Sequence, residues 1–108
     1  MSDPALIELR DRLRLFAAER DWERFHTPKN LTAAIAGEAG ELAAVLQWAE
    51  PGEALDPYRR ELEEEIADVL IYLVRLCDVA DIDLITAANE KVDRNTGRYP
   101  PEAGGRAH

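Results

Sequence analysis

The chain has 108 residues, 46% of them hydrophobic, and a formal net charge of −9. This length suits one globular domain with a modest core, so extra burial by self-association is reasonable. The acidic balance argues against duplex nucleic acid or an anionic membrane as partner, and a single cysteine, Cys77, leaves no internal disulfide framework and no thiolate metal site.

Met1-Ser2-Asp3-Pro4 lacks a basic region leading into an apolar stretch, and no segment reaches about 18 uninterrupted apolar residues. A soluble, cytoplasmic protein is the expectation. Ser2 or Asp3 before Pro4 signals a helix start. From there to about Arg20, Leu6, Leu9, Leu13 and Phe16 recur at helical spacing, which predicts an amphipathic helix packed on one side. Asp21 to Lys29 reads as an irregular connection, rich in aromatics for a linker. Trp22 and Phe25 there either cover the end of the bundle or line a pocket for a flat ring, with His26 donating to a polar group. Pro28 and Asn30 mark the next start, with Asn30 as the expected cap.

A second helix is predicted over about 31–49, dominated by alanine and glycine. Its two glycines each cost about 1 kcal/mol relative to alanine, tolerable if something approaches the backbone beside Glu38 and Glu41. Continuing that face from Glu38 reaches Glu41, Val45 and Trp48. Pro51-Gly52 breaks the helix. A third helix follows over about 57–79, with an apolar face of Leu62, Ile66, Val69, Leu73 and Leu76. Glu61, Glu65, Asp68 and Tyr72 form a second stripe on it. From Val69 to Leu76 it is apolar nearly all round, except for Tyr72 and Arg75, which marks a central helix. Asp81-Ile82-Asp83 leads into a fourth helix over about 84–95, where Lys91 and Asn95 share a face; Arg98 and Tyr99 follow its end. Residues 1–100 thus read as one all-α domain, an antiparallel four-helix bundle, and 101–108 as a flexible tail.

Two acidic pairs stand out. Glu38 and Glu41, and Glu65 and Asp68, are each three positions apart, so each pair projects from one helix face. No Lys, Arg or His lies between Lys29 and Arg59, and Glu38 and Glu41 are the only polar side chains between Thr32 and Gln47. Carboxylates in apolar helices must be neutralised, paired or bound to a cation. A di-iron bundle wants Glu-x-x-His pairs, which are absent, and zinc prefers His or Cys. An all-oxygen set of Glu38, Glu41, Glu65 and Asp68 suits Mg²⁺, with Mn²⁺ as a substitute, and Mg²⁺ usually shares its shell with water and phosphates. Trp48 and Tyr72 on the acidic stripes, Trp22 and His26 in the adjoining loop, and Lys91, Asn95 and Arg98 as phosphate partners together describe a nucleotide pocket. A non-catalytic acidic helical module for dimerisation or regulation is the alternative.

The stretches Phe16–His26, Gly37-Glu38-Ala39-Gly40-Glu41-Leu42, Glu65-Ile66-Ala67-Asp68-Val69-Leu70-Ile71-Tyr72 and Lys91–Pro100, in this order, resemble the MazG-like all-α nucleoside triphosphate pyrophosphohydrolases, in particular the dCTP pyrophosphatase branch. The resemblance covers roughly residues 5–100. It implies Mg²⁺-dependent hydrolysis of a nucleoside triphosphate, dCTP or a modified dCTP, to the monophosphate and pyrophosphate. By matching position, Glu38, Glu41, Glu65 and Asp68 would be metal ligands; for the chemistry, one carboxylate, Glu38 or Glu41 by preference, is expected to accept the proton of the attacking water. Trp22, His26, Trp48 and Tyr72 form the nucleobase and sugar pocket, and Lys91 and Asn95 hold phosphates. The resemblance further implies a homodimer, or a homotetramer built as a dimer of dimers, with sites formed partly across the interface. One position departs: Leu13 stands where dCTP-selective members carry a pocket histidine, so strict cytosine preference does not follow.

Overall fold

The computed structural model describes residues 1–101. The expected tail lies, beyond Pro101, outside the described residues. Four helices run in chain order: α1 (Pro4–Glu19), α2 (Pro28–Val45), α3 (Arg59–Ala80) and α4 (Leu84–Arg98), with single 3₁₀ turns before α2 (Glu23–Phe25) and α3 (Asp56–Tyr58). No strand occurs among the described residues, so the all-α four-helix reading holds.

Helix ends follow local chemistry. Asp3 caps α1 by accepting from the backbone N–H groups of Ala5 and Leu6, with Pro4 in the first turn. Asp21 then adopts a left-handed conformation at φ 55°. This lets the Trp22 N–H reach back to the Ala17 carbonyl at 2.9 Å, closing α1 and throwing Trp22 sideways. Asp81 repeats the device after α3, at φ 56°, with Ile82 N–H on the Cys77 carbonyl. Asp83 caps α4 through the N–H of Thr86.

Three expected boundaries move. Thr27, not Asn30, caps α2, its hydroxyl accepting from the Asn30 N–H at 3.1 Å, because Pro28 already occupies the first turn. The Asn30 side chain instead donates to the Phe25 carbonyl at 2.9 Å, latching the 3₁₀ turn onto the helix. Helix α2 ends at Val45, four residues early, so Trp48 leaves the helical stripe for a turn, where it is 87% exposed. Helix α4 runs three residues longer than expected and takes in Arg98.

Helices α2 and α3 pack most extensively, and α1 lies against α3, while α4 contacts the others only sparsely. The fully enclosed apolar core is small and sits where the end of α1, the start of α2 and the end of α3 meet, at Ala17, Leu31, Val74 and Cys77. Along the rest of α3 the expected central position is not reached within one chain: Ile66 is 54% exposed, and Leu70 is exposed as well. The radius of gyration is 16.8 Å, against roughly 13 Å for a compact domain of this length. The two α2 glycines answer no close neighbour either; a Cβ on Gly37 or Gly40 would meet nothing within 4 Å.

Candidate active site

The acidic pairs converge where α2 faces α3. Carboxylate oxygens of Glu38, Glu65 and Asp68 lie within 4.8 Å of one another. Glu38 Oε2 and Glu65 Oε2 are buried and have no hydrogen-bond partner among the described residues. Burial, then the charges of Glu41, Asp68 and Glu65, hold the Glu38 carboxyl above the usual carboxylate range. Glu65 is raised for the same reasons, burial first and then Glu41 and Asp68. Glu41 is therefore felt at both groups without joining the close trio, and its side chain stands at the exposed rim.

Such a cluster can be relieved in two ways, by taking up protons or by taking up a cation. Three oxygen donors, two of them orphaned, with no nitrogen or sulfur in the cluster, fit a hard divalent ion such as Mg²⁺ or Mn²⁺.

Directly beside the cluster lies a cavity of about 470 Å³, whose walls include Glu38 and Asp68 together with Leu13, Phe16, Trp22, His26 and Tyr72. Its aromatic side is built by the Asp21 turn: Trp22 meets the Phe16 ring edge-on at 5.6 Å and the His26 ring, tilted, at 6.4 Å. Arg20 stacks over Phe16 from behind, 3.6 Å from the ring centroid. Of the aromatic connection, Trp22 and His26 line this cavity, whereas Phe25, expected with Trp22, does not and is exposed. Leu13, the position that departs from the dCTP-selective pattern, is in the wall itself.

Of the residues expected at the site, Glu38, Asp68, Trp22, His26 and Tyr72 line this cavity and Glu65 adjoins it through the acidic trio. Trp48, Lys91, Asn95 and Arg98 do not line it in the single chain. Trp48 is removed by the early end of α2, and the other three ride on α4, which projects from the body.

The wall and its backing also contain residues that helical periodicity did not assign to a site. Leu9, Leu13 and Phe16 read as core positions of α1, yet they face the cavity because α1 covers the α2–α3 cleft. Arg75, 6% exposed, stands behind His26: its Nε–H donates to His26 Nδ1 at 3.2 Å, and its Nη1 to Asp78 at 3.3 Å. Asp78 is gripped from the other side by Arg14, at 2.5 and 2.8 Å, and that guanidinium holds its carboxyl below the usual range. A signal for Arg75 existed, since it is the lone cation in the apolar run of α3 and continues the Glu65–Asp68–Tyr72 stripe by three residues.

Known proteins are similar to this chain along most of its length. Residues 26–102 match the family model described as the MazG nucleotide pyrophosphohydrolase domain. The chain is 50% identical over 103 residues to rat dCTP pyrophosphatase 1 and 48% identical over 103 residues to the human protein of that name, with 91% of this chain covered in each case. It spans 61% of the length of these curated relatives. A solved structure of a pyrophosphatase from Archaeoglobus fulgidus superposes with a TM-score of 0.84 at 44% identity, covering 93% of this chain and 96% of that one. No helix among the described residues is long and apolar enough to cross a membrane.

Proposed function

The chain belongs to the MazG nucleotide pyrophosphohydrolase family, and from that premise we propose that it hydrolyses a nucleoside triphosphate to the monophosphate and pyrophosphate with Mg²⁺ as cofactor. The observation that carries the proposal is the pair of orphaned carboxylate oxygens of Glu38 and Glu65 beside an aromatic-walled cavity large enough for a base and sugar. A base enters against Trp22 and Tyr72, and His26 meets a polar edge of the nucleoside. Glu38, Glu65 and Asp68, with Glu41 completing the set, would hold a divalent cation. When bound, Mg²⁺ supplies positive charge against the phosphate oxygens and acidifies a water molecule. Glu38 or Glu41 takes the proton of the attacking water as its oxygen bonds to the α-phosphorus. The bond from that phosphorus to the bridging oxygen breaks, and pyrophosphate leaves.

The substrate we favour is dCTP or a modified dCTP, the relatives being dCTP pyrophosphatases by name; Leu13 in the wall leaves room for a different base preference. Trp48, Lys91, Asn95 and Arg98 complete the site across an interface between copies, as a homodimer or homotetramer. Support comes from the exposed Ile66 and Leu70 on α3, from Val92 on the projecting α4, 59% exposed, and from the expanded radius of gyration. Clearing unwanted nucleotides from the cytoplasmic pool is the role that fits this chemistry.

The test is incubation of the pure chain with Mg²⁺ and each nucleoside triphosphate in turn, with the products separated. Monophosphate plus pyrophosphate supports the reading. Diphosphate plus orthophosphate, or no turnover, rejects it in favour of a non-catalytic acidic module, which would also show no rise in Tm with Mg²⁺ and a non-hydrolysable analogue.

A further inference from the structure

Arg75 is the one buried charged residue among those described, and its position has a chemical consequence for the pocket. A neutral imidazole has one N–H donor and one bare acceptor nitrogen, and the hydrogen bond made by one nitrogen dictates the state of the other. A guanidinium only donates. Its Nε–H points at His26 Nδ1 at 3.2 Å, so Nδ1 must be the bare nitrogen and the proton must sit on Nε2.

We propose that Arg75 is a positioning residue for the nucleotide pocket: its hydrogen bond to Nδ1 locks His26 as the Nε2–H tautomer, making the ring a fixed donor to a lone-pair acceptor on the substrate. The acceptor is a base carbonyl, an unprotonated ring nitrogen or a sugar oxygen; a substrate edge carrying N–H is disfavoured there. The proposal rests on the nucleotide reading of the cavity.

Three observations support it beyond the single bond. Arg75 is itself held from behind, by Asp78 at 3.3 Å, and Asp78 by Arg14 at 2.5 Å, so the donor has little freedom to turn away. His26 lines the aromatic cavity, whereas Arg75, Asp78 and Arg14 line a separate groove on the other side. The ring thus has Nδ1 committed to Arg75 and Nε2 without a hydrogen-bond partner among the described residues. Burial and the Arg75 charge also resist protonation of His26, against the opposing pull of Glu23. Arg12, Glu38 and Asp68 are the other charged groups in the cavity wall.

The primary experiment is two-bond proton–nitrogen NMR on the ¹⁵N-labelled chain at pH 7, with the His26 signals identified by their loss in His26→Gln. The expected pattern is a bare Nδ1 and a protonated Nε2. A proton on Nδ1, an equal mixture of tautomers or a doubly protonated ring overturns the proposal. Two variants then separate hydrogen bonding from charge. Arg75→Met fills the space without a donor, whereas Arg75→Gln puts an amide nitrogen at the position of the Arg Nε. Arg75→Met is expected to mix the tautomers and to raise KM up to about tenfold with kcat within about twofold, the effect of one neutral hydrogen bond. Arg75→Gln should restore both the tautomer and most of the KM. A folded Arg75→Met chain with unchanged tautomer and KM, or a Gln variant no better than Met, overturns the positioning role. If Arg75→Met does not fold, the wild-type spectrum and the Gln variant decide the question. Failure of the functional reading shows separately, as a wild-type chain that releases no pyrophosphate from any nucleotide, and it takes the pocket role of Arg75 with it.

Discussion

Helix α3 contains two charged clusters built on opposite principles. In its first half, Glu65 and Asp68 meet Glu38 with no ion pair among the described residues, and two of the oxygens have no hydrogen-bond partner. In its second half, Arg75 and Asp78, equally close together in sequence, are fully paired with each other, with His26 and with Arg14. The paired cluster is complete within the chain and can only position something. The unpaired one carries unrelieved repulsion and is complete only with protons or a cation. Function is to be sought where charge is left unbalanced, and rigidity where it is balanced.

The contrast can be broken most sharply in the acidic half. Glu65→Gln, which keeps the shape and removes one charge, should lower kcat/KM for the preferred nucleotide at least about 100-fold, in keeping with losses around metal sites. The same change should raise the Tm of the metal-free chain, since it relieves the repulsion. Full activity in this variant would remove Glu65 from the cation set.

Asp78→Ala in the paired half should do the reverse, costing stability by roughly 2–3 kcal/mol as Arg75 loses a buried partner. Denaturant unfolding checks it, and an unchanged midpoint would mean that Arg75 finds another partner. Metal addition comes next. At a hundredfold excess over its Kd, Mg²⁺ should raise Tm by roughly 10 °C in the wild type and far less in Glu38→Gln.

The two halves also respond oppositely to pH. Glu38 and Glu65 have folded values above the ordinary 4.5, so the folded chain binds protons that the unfolded chain releases. Their contribution is fully present below 4.5 and is lost as pH rises through the raised values, in the absence of metal. Asp78 lies below its ordinary 3.8, so its contribution is present above that value and lost as pH falls through the folded one. Melting curves of the metal-free wild type and Glu38→Gln should therefore diverge as pH rises above about 4.5, and parallel curves would mean that the acidic cluster is not strained. The smallest effect is expected at Arg14→Ala. Its side chain is half-exposed, and Tm should move by about 2 °C or less.

Much of this was legible in the chain itself. Helical periodicity, the Asp3-Pro4 start and the Pro51-Gly52 break announce the helices, because each reflects local backbone and burial chemistry. The acidic pairs were visible because carboxylates without neighbouring cations are conspicuous in apolar sequence. Boundaries were less so: Thr27 outcompetes Asn30 for the cap because Pro28 sets the first turn, and α2 stops before Trp48. Nothing in the spacing of Arg75 revealed which partners it would find, for His26 is 49 residues away.

Sequence by itself therefore determined the elements and the kind of chemistry, since helix propensity, capping and charge imbalance act between near neighbours. Tertiary structure alone decided which groups meet most closely: that Glu41 stands outside the trio of Glu38, Glu65 and Asp68, that α1 turns its apolar face into a cavity wall, and that Arg75 reaches across to His26. Those meetings depend on how whole helices pack, and packing is settled by the summed fit of distant surfaces rather than by any local signal.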